Sequence, residues 1–342
     1  MKYTFVDTQM DSFQVSIDQE LQAAGLVHDT DPRNCDIIIS SERQPAELSV
    51  VRLQMREDNP RQIYVRTCTE AIEADLNIFD YSLGLLSGRS EREIQIPAVD
   101  AFRKFSPALY ELSFRENPVN RIPQTILSSK PSIDFIYSNA GGHHRKKIFE
   151  SFSQRYVVQS YGNFLNNQDN RTRSSWNSEW REEKIHLHKQ NHFSLALENT
   201  NAAGYTTEKV LTPLEAGTVP IYFGHESAAE QINPTTFRLI RDTSTQGINE
   251  VIEWISSLSE NDFETMLSEP VFSTEQLTFH SDARKERQLL FDKLAAGNLE
   301  VHRPIGYAKN LHLRRIARNL EIHRAATVMR SVWKNPARKA KT

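Results

Sequence analysis

Residues 193–224, FSLALENTNAAGYTTEKVLTPLEAGTVPIYFG, read as strand, polar loop, helix and strand in succession. Phe193–Leu197 and Val219–Phe223 (VPIYF) are short apolar runs of the kind buried on both faces of a parallel sheet. Between them, Glu208–Ala216 has helical composition, opened by Thr206 or Thr207 and followed by Gly217 where a helix C-cap glycine belongs. A helix start presents unpaired N–H groups and a partial positive charge, a setting suited to phosphate. Lys209 in the first turn opposes the helix dipole, at a typical cost of about 0.3–1 kcal/mol, unless an anion is held there. A lysine laid along the surface with its ammonium in water satisfies the same spacing, and Lys209 alone does not separate the two.

Working outward, the same alternation recurs on both sides. Lys2–Val6, Cys35–Ser40 (CDIIIS) and Gln62–Arg66 (QIYVR) read as buried strands, Asp18–Ala24 as helix, and Ile78–Leu83 as a further strand. Ser132–Tyr137 (SIDFIY) and Tyr156–Ser160 read as strands around a helix at Lys146–Arg155, with a polar loop over 163–176. Pro118, Pro123 and Pro131 punctuate a linker between the two sets. The expected fold class is therefore α/β: a first α/β domain over 1–125, a second over 126–305, and a basic helical tail over 306–342. No G-x-G-x-x-G follows any strand, Ala140-Gly141-Gly142 being the nearest approach, and no G-x-x-x-x-G-K-[ST] occurs, which argues against dinucleotide and P-loop enzymes.

Composition bounds the class of protein. The 342 residues suit two domains, and 38% hydrophobic with 25% charged residues describe a water-soluble globular chain. No apolar run reaches the roughly eighteen residues of a membrane span, and the first residues lack the apolar core of a signal peptide. Two cysteines, Cys35 and Cys68, leave no disulfide framework, so a cytoplasmic location is expected and the sequon Asn170-Arg171-Thr172 is discounted. The net charge of −3 conceals an asymmetry: residues 310–342 hold nine Lys/Arg against Glu321, so the tail is +8 and the rest −11. An acidic body gives no reason to expect nucleic acid as a partner. In the tail, Leu313, Ile316 and Leu320 share one helical face, while Ile322, Ala326, Met329 and Trp333 form a second stripe. With the interleaved arginines, they make a candidate peripheral contact to anionic lipid on the inner face of the cell membrane; a packed helix with a solvated basic end is the alternative.

The stretch 193–224 closely resembles the hallmark of the α1,3/4-fucosyltransferases, glycosyltransferase family 10, of bacterial type. The family pattern is like F-x-L-x-F-E-N-[ST]-x4-Y-[VT]-T-E-K followed by a G-x-[VI]-P-[IV] strand. Here it stands as Phe193, Leu195, Glu198-Asn199-Thr200, Tyr205, Thr207-Glu208-Lys209, Gly217 and Val219-Pro220-Ile221, with Leu197 replacing the usual aromatic. Ser138-Asn139-x5-Arg145, Asn77-Ile78-Phe79-Asp80-Tyr81 and Asn233-Pro234-x2-Phe237-x4-Asp242 resemble further family elements, so that the likeness covers roughly 60–245.

The resemblance implies a GT-B-like fold, two Rossmann-like α/β domains facing across a cleft, and an inverting fucosyltransferase. By it, L-fucose moves from GDP-fucose to a GlcNAc or Glc hydroxyl of an acceptor glycan, in α1,3 or α1,4 linkage, in surface polysaccharide or lipopolysaccharide synthesis. It also implies Arg145, Asn199, Tyr205, Glu208 and Lys209 as donor-binding residues and Glu70 as general base, seven residues before Asn77. Glu73 competes for that role, because the family's Glu-Ser-Pro surroundings are replaced by Glu70-Ala71-Ile72-Glu73. No metal is expected as a requirement, with Mn or Mg at most stimulatory. Transfer from another nucleotide sugar, and a non-catalytic nucleotide-sugar- or glycan-binding protein, remain as alternatives. Three weaker signals accompany these: His186-x-His188-x3-His192 and Asp29-x-Asp31, with metal-like spacing, and His143-His144, beside Arg145.

Overall fold

The computed structural model describes residues 1–6, 12–41, 59–76, 78–117, 131–168, 178–299 and 301–302. The linker prolines Pro118 and Pro123, the sequon at 170–172, Asn77 and the basic stretch 310–342 lie outside these residues.

The first half builds β1 (Lys2–Phe5), α1 (Ser12–Ala23), β2 (Val27–His28), β3 (Ile37–Ser41), β4 (Ile63–Cys68), β5 (Tyr81–Gly84) and β6 (Glu93–Gln95), then α2 (Ala98–Ala101) and α3 (Pro107–Leu112). Its strands form a six-stranded sheet in the order β2-β1-β3-β4-β5-β6, with every pairing parallel. Ile37, Ile38 and Ile39 of β3 are all buried, as a central parallel strand covered on both faces requires.

The second half runs β7 (Ser132–Phe135), α4 (His143–Ser153), β8 (Val157–Ser160), α5 (Ser178–His188), β9 (Phe193–Leu197), α6 (Glu208–Ala216), β10 (Val219–Phe223), α7 (Ala228–Gln231), β11 (Arg238–Leu239), α8 (Thr245–Ser257), α9 (Glu260–Ser268) and α10 (Thr274–Ala296). A second parallel sheet of five strands follows the order β11-β10-β9-β7-β8. Pro220 is tolerated in β10 because β11 pairs only from Ile221 onward, so no partner there needs its missing N–H.

Read from β8, the second order matches the first: the second strand lies outside the first, and the rest are added on the other side. In such sheets the connections diverge between the first and third strands, and a crevice opens at their carboxyl ends. In the second sheet that crevice lies between the ends of β7 and β9, where residues 136–139 and 198–199 emerge. The two halves form the two Rossmann-like α/β units expected of a GT-B layout.

Most strand and helix bounds read from sequence hold to within a few residues, although α1 begins at Ser12, six residues before the expected Asp18, and two further differences have substance. Ile78, Phe79 and Asp80 precede β5 rather than belong to it, and the Asp80 carboxylate accepts hydrogen bonds from the N–H groups of Tyr64 and His302. Secondly, α10, inside the range assigned to the second domain, packs with the first sheet. Leu277, Leu290, Phe291 and Leu294 join Tyr3, Phe13, Ile17 and Leu21 in one core. Arg284 and Arg287 of α10 bind Asp100 at the end of α2, and Arg287 also binds Glu20. Burial acts to raise the Asp100 carboxyl, but the two guanidinium groups outweigh it and leave its pKa lowered.

His280 lies on the same helix, against Phe272, with Nδ1 unpartnered. Burial and the charge of Arg284 lower its pKa from 6.5 to about 4. The unfolded chain therefore binds a proton in the interval where the folded chain does not. Stability from a neutral His280 is fully present above pH 6.5 and lost as pH falls toward 4, by on the order of 3 kcal/mol. Replacing His280→Leu is expected to flatten the decline of the urea-unfolding midpoint between pH 6.5 and 4. An unchanged slope would remove His280 from the acid response.

Candidate functional site

The helix start singled out in the sequence is built around a buried carboxylate. Glu198 follows β9 and is fully inaccessible. Its Oε1 accepts from the Thr207 N–H at 2.8 Å, and the Thr207 hydroxyl lies 2.8 Å from Oε2. Thr207 is also the N-cap of α6, its Oγ1 3.4 Å from the Lys209 N–H, which resolves the choice between Thr206 and Thr207. Gly217 closes the same helix in the left-handed region at φ +78°, as a C-cap glycine does.

Lys209 does not reach out to solvent. Its Nζ lies 3.4 Å from Glu198 and 3.7 Å from Glu208, and its hydroxyl contact to Thr207 is 3.1 Å. Burial alone would push the ammonium toward deprotonation; Glu208 and Glu198 reverse that and raise its pKa. Burial raises the Glu198 carboxyl, while at Glu208 the charges of Lys209 and Lys184 overcome burial and lower it. The first turn of α6 thus holds the Lys209 ammonium between Glu198 and Glu208.

Arg145, from the first turn of α4, approaches from β7. Only 2% of it is exposed, and its guanidinium lies over the Tyr137 ring, 4.3 Å from the centroid. Nη2 donates to the Leu197 carbonyl at 3.1 Å and to Asn199 Oδ1 at 2.5 Å, and Nη1 donates to the Asn139 carbonyl at 3.2 Å. Tyr137 in turn donates to the Leu195 carbonyl, and burial raises its phenol to about 12.

The first half faces this arrangement through the end of β4. Glu70 Oε2 accepts from the Tyr205 hydroxyl at 3.3 Å. The loop carrying Tyr205 is held against the first half by backbone: the Ser87 N–H donates to the Ala203 carbonyl, and Gly204, at φ +81°, sits beside Leu85 and Ser87. A Cβ on Gly204 would fall 2.3 Å from the Ser87 nitrogen and 2.6 Å from the Leu85 oxygen.

Glu70, Arg145, Asn199, Tyr205, Glu208 and Lys209, all named from sequence, line one cleft of about 380 Å³. Glu73 does not line it; its carboxylate pairs with Arg89 at 2.6 Å on the surface. Sequence reasoning did not select Tyr137, Thr207, Trp180 or Lys184, which line the cleft too. Of these, Tyr137 and Thr207 stand within or beside the quoted motifs, whereas Trp180 and Lys184 lie on α5, a helix with no such signal.

The weaker signals resolve into local contacts. His186 pairs with Gln190, His188 with Asp134 and His192 with Ser132, so the three do not converge. Asp29 binds Lys2, and Asp31 caps a turn and binds Arg33. His144 is held to the Glu198 carbonyl at 2.8 Å. Among the described residues, no group of three or more His, Cys, Asp or Glu side chains could hold a metal ion. No helix among them is long and apolar enough to cross a membrane.

Residues 128–266 match the model of the glycosyltransferase family 10 (fucosyltransferase) C-terminal domain. The chain carries a glycosyltransferase family 10 domain. The chain is 36% identical over 84 residues to an alpha-(1,3)-fucosyltransferase of Helicobacter pylori, a stretch covering 24% of this chain and 17% of that protein. It is 26% identical over 120 residues to alpha-(1,3)-fucosyltransferase B of Drosophila melanogaster, covering 34% of this chain and 27% of the relative. The aligned stretches thus span less than a third of the length of these curated relatives. A crystal structure of an alpha1,3-fucosyltransferase superposes with a TM-score of 0.64 at 16% identity, covering 89% of this chain and 92% of that one. A crystal structure of an alpha1,3-fucosyltransferase with GDP-fucose gives 0.62 over the same shares. These likenesses place the two-sheet fold with the GT-B fucosyltransferases.

The cleft depends on the fit of Gly204. Gly204→Ala is expected to lower the urea-unfolding free energy by about 2 kcal/mol, combining left-handed strain with displacement of the 85–87 backbone. An unchanged midpoint would show that the loop is not pinned there.

Proposed function

We propose that this chain is an inverting fucosyltransferase, moving L-fucose from GDP-fucose to a hydroxyl of an acceptor glycan. The observation that carries the reading is the single cleft in which Glu70, from the first half, faces Arg145 and Lys209, from two helix starts of the second. The family 10 match and the likeness to an alpha1,3-fucosyltransferase with GDP-fucose support it.

In this reading the diphosphate of the donor lies at the crevice between the ends of β7 and β9. Lys209, kept protonated by Glu208 and Glu198, and Arg145, oriented by Tyr137 and Asn199, offset the charge that grows on the leaving diphosphate. Glu208, Asn199 and Tyr205 hold the sugar or ribose. Glu70 takes the proton of the acceptor hydroxyl as that oxygen attacks the anomeric carbon from the face opposite GDP, and the Tyr205 hydrogen bond orients its carboxylate. Because the cations supply the neutralising charge, a divalent ion is not required, and Mn or Mg would at most stimulate. The acceptor is a GlcNAc or Glc unit, joined in α1,3 or α1,4 linkage, in a surface polysaccharide or lipopolysaccharide.

Two variants separate the halves of this mechanism. Glu70→Gln is expected to bind GDP-fucose as the wild type does and to lose transfer by a factor on the order of 100 or more. Lys209→Ala is expected to lose GDP affinity by about 1.5–3 kcal/mol. Transfer by the wild type is expected to persist in EDTA. An inactive Glu73→Gln beside an active Glu70→Gln would reassign the base. Faster turnover of another nucleotide sugar would reassign the donor, and binding without turnover across a glycan panel would make this a binding protein.

We also propose that residues 310–342 attach this cytoplasmic enzyme to the inner face of the cell membrane, on the strength of their +8 charge and two apolar stripes. Each Lys or Arg near an anionic surface contributes about 1 kcal/mol, and the attraction shortens from about 10 Å at 0.1 M salt to about 3 Å at 1 M. Co-sedimentation with anionic vesicles is expected for the full chain at low salt and not for a chain ending near Pro304. Equal binding by both would remove the tail from membrane attachment.

A further inference from the structure

Three cationic side chains line the cleft, and two of them are already engaged. Arg145 spends both terminal nitrogens on the Asn139 and Leu197 carbonyls and on Asn199, and Lys209 sits between Glu198 and Glu208 with Thr207 beneath it. The third is Lys184 of α5. It is 6% exposed, and its ammonium lies 4.6 Å from the centroid of the Trp180 ring, one helical turn earlier. Among the described residues it has no carboxylate within ion-pair distance. Burial is the largest influence on it and lowers its pKa; Lys209 acts in the same direction, and the charges of Glu208 and Asp134, which favour the ammonium, do not offset the two.

A buried ammonium without a hydrogen-bonded anion is an expensive placement, tolerated where a ligand completes it. The ring of Trp180 compensates through its π-face but accepts no conventional hydrogen bond. Lys184 therefore keeps N–H donors for a ligand in the cleft, on the wall it shares with Thr207, Glu208 and Lys209. The helix that carries it is fixed: Arg181 pairs with Glu215 of α6 and donates to the Phe105 carbonyl of the first half, and His188 binds Asp134 of β7. The ammonium is thus presented from a rigid helix with contacts to both halves of the molecule.

We infer that Lys184 is a third diphosphate-binding residue of the cleft, donating from its ammonium to a phosphate oxygen of the bound nucleoside diphosphate. This rests on the donor reading given above and extends it to a helix outside the recognised motifs. Phosphate oxygens are the anionic partner that a nucleoside diphosphate brings, and Lys184 supplies a cationic hydrogen-bond donor engaged neither with a carboxylate, as Lys209 is, nor with carbonyl oxygens, as Arg145 is. Trp180 acts through it as a positioning residue, setting the ammonium by contact with its ring.

The test uses the full chain and calorimetry with GDP, inorganic pyrophosphate and, by competition, guanosine. Lys184→Met keeps the length and apolar stem and removes the charge. It is expected to weaken GDP and pyrophosphate roughly tenfold or more while guanosine stays within about twofold, and Lys184→Arg is expected to recover part of the loss. Thermal melting without ligand serves as the fold control, and Lys184→Met is expected to melt no earlier than the wild type, since it relieves a buried charge. Equal weakening of all three ligands would mark Lys184 as structural and overturn the inference. Unchanged GDP affinity with reduced transfer would move Lys184 to the acceptor side and overturn it as well. A wild type that binds neither GDP nor pyrophosphate would sink the donor reading itself, and the inference with it.

Discussion

Glu198 is a carboxylate with no contact with water, and the geometry of the cleft is organised around the ways its charge is met. The Thr207 backbone N–H and hydroxyl turn toward it, which places Thr207 as the cap of α6 and fixes where that helix begins. Lys209 then folds back onto it instead of extending into solvent. Tyr222 of β10 lies 3.5 Å from the same carboxylate, so the next strand is bound into the arrangement too. Removing one partner of such a buried set leaves an uncompensated charge, typically at about 3–5 kcal/mol. The helix end, the lysine and the strand are therefore held in a fixed relation before any ligand arrives.

The topology supplies the second constraint. Both sheets repeat one strand order, and in the second the crevice between β7 and β9 receives Tyr137, Asn139 and Asn199 from loops that leave the strands in opposite directions. Short buried strands permit this because every inner position, from Phe193 to Leu197, is covered on both faces. The loops at their ends are the first places where polar side chains can stand in contact with water.

Much of this was legible in the sequence because parallel strands and capped helices leave local marks. FSLAL, VPIYF, Thr207 and Gly217 each report their structure within a few residues, and the chemistry of the motif follows them. What was not legible depended on distance along the chain. Nothing local in SEWREEKIHLH reveals that Lys184 turns inward, since charges surround it and the contacts that seat its helix, Arg181 with Glu215 of α6 and Trp180 with Phe105, lie far away in sequence. Likewise, α10 looks like any charged helix until Asp100 and Glu20 are seen to receive its arginines. That Glu70 lines the cleft while Glu73 pairs with Arg89 at the surface was likewise visible only in the tertiary structure.

The docking of the Gly204 loop onto residues 85–87 has a consequence for how such a molecule could diversify. The two halves meet there through main-chain atoms, a carbonyl accepting from an amide, and the Gln231 side chain joins the same contact by donating to the Gly204 carbonyl and accepting from the Ala98 N–H. The spacing between Glu70 and the opposite wall is thereby set by few positions, the Gly204 loop, residues 85–87 and Gln231. Surface residues bordering the cleft could be exchanged, altering its rim, while the separation of its two walls is inherited intact.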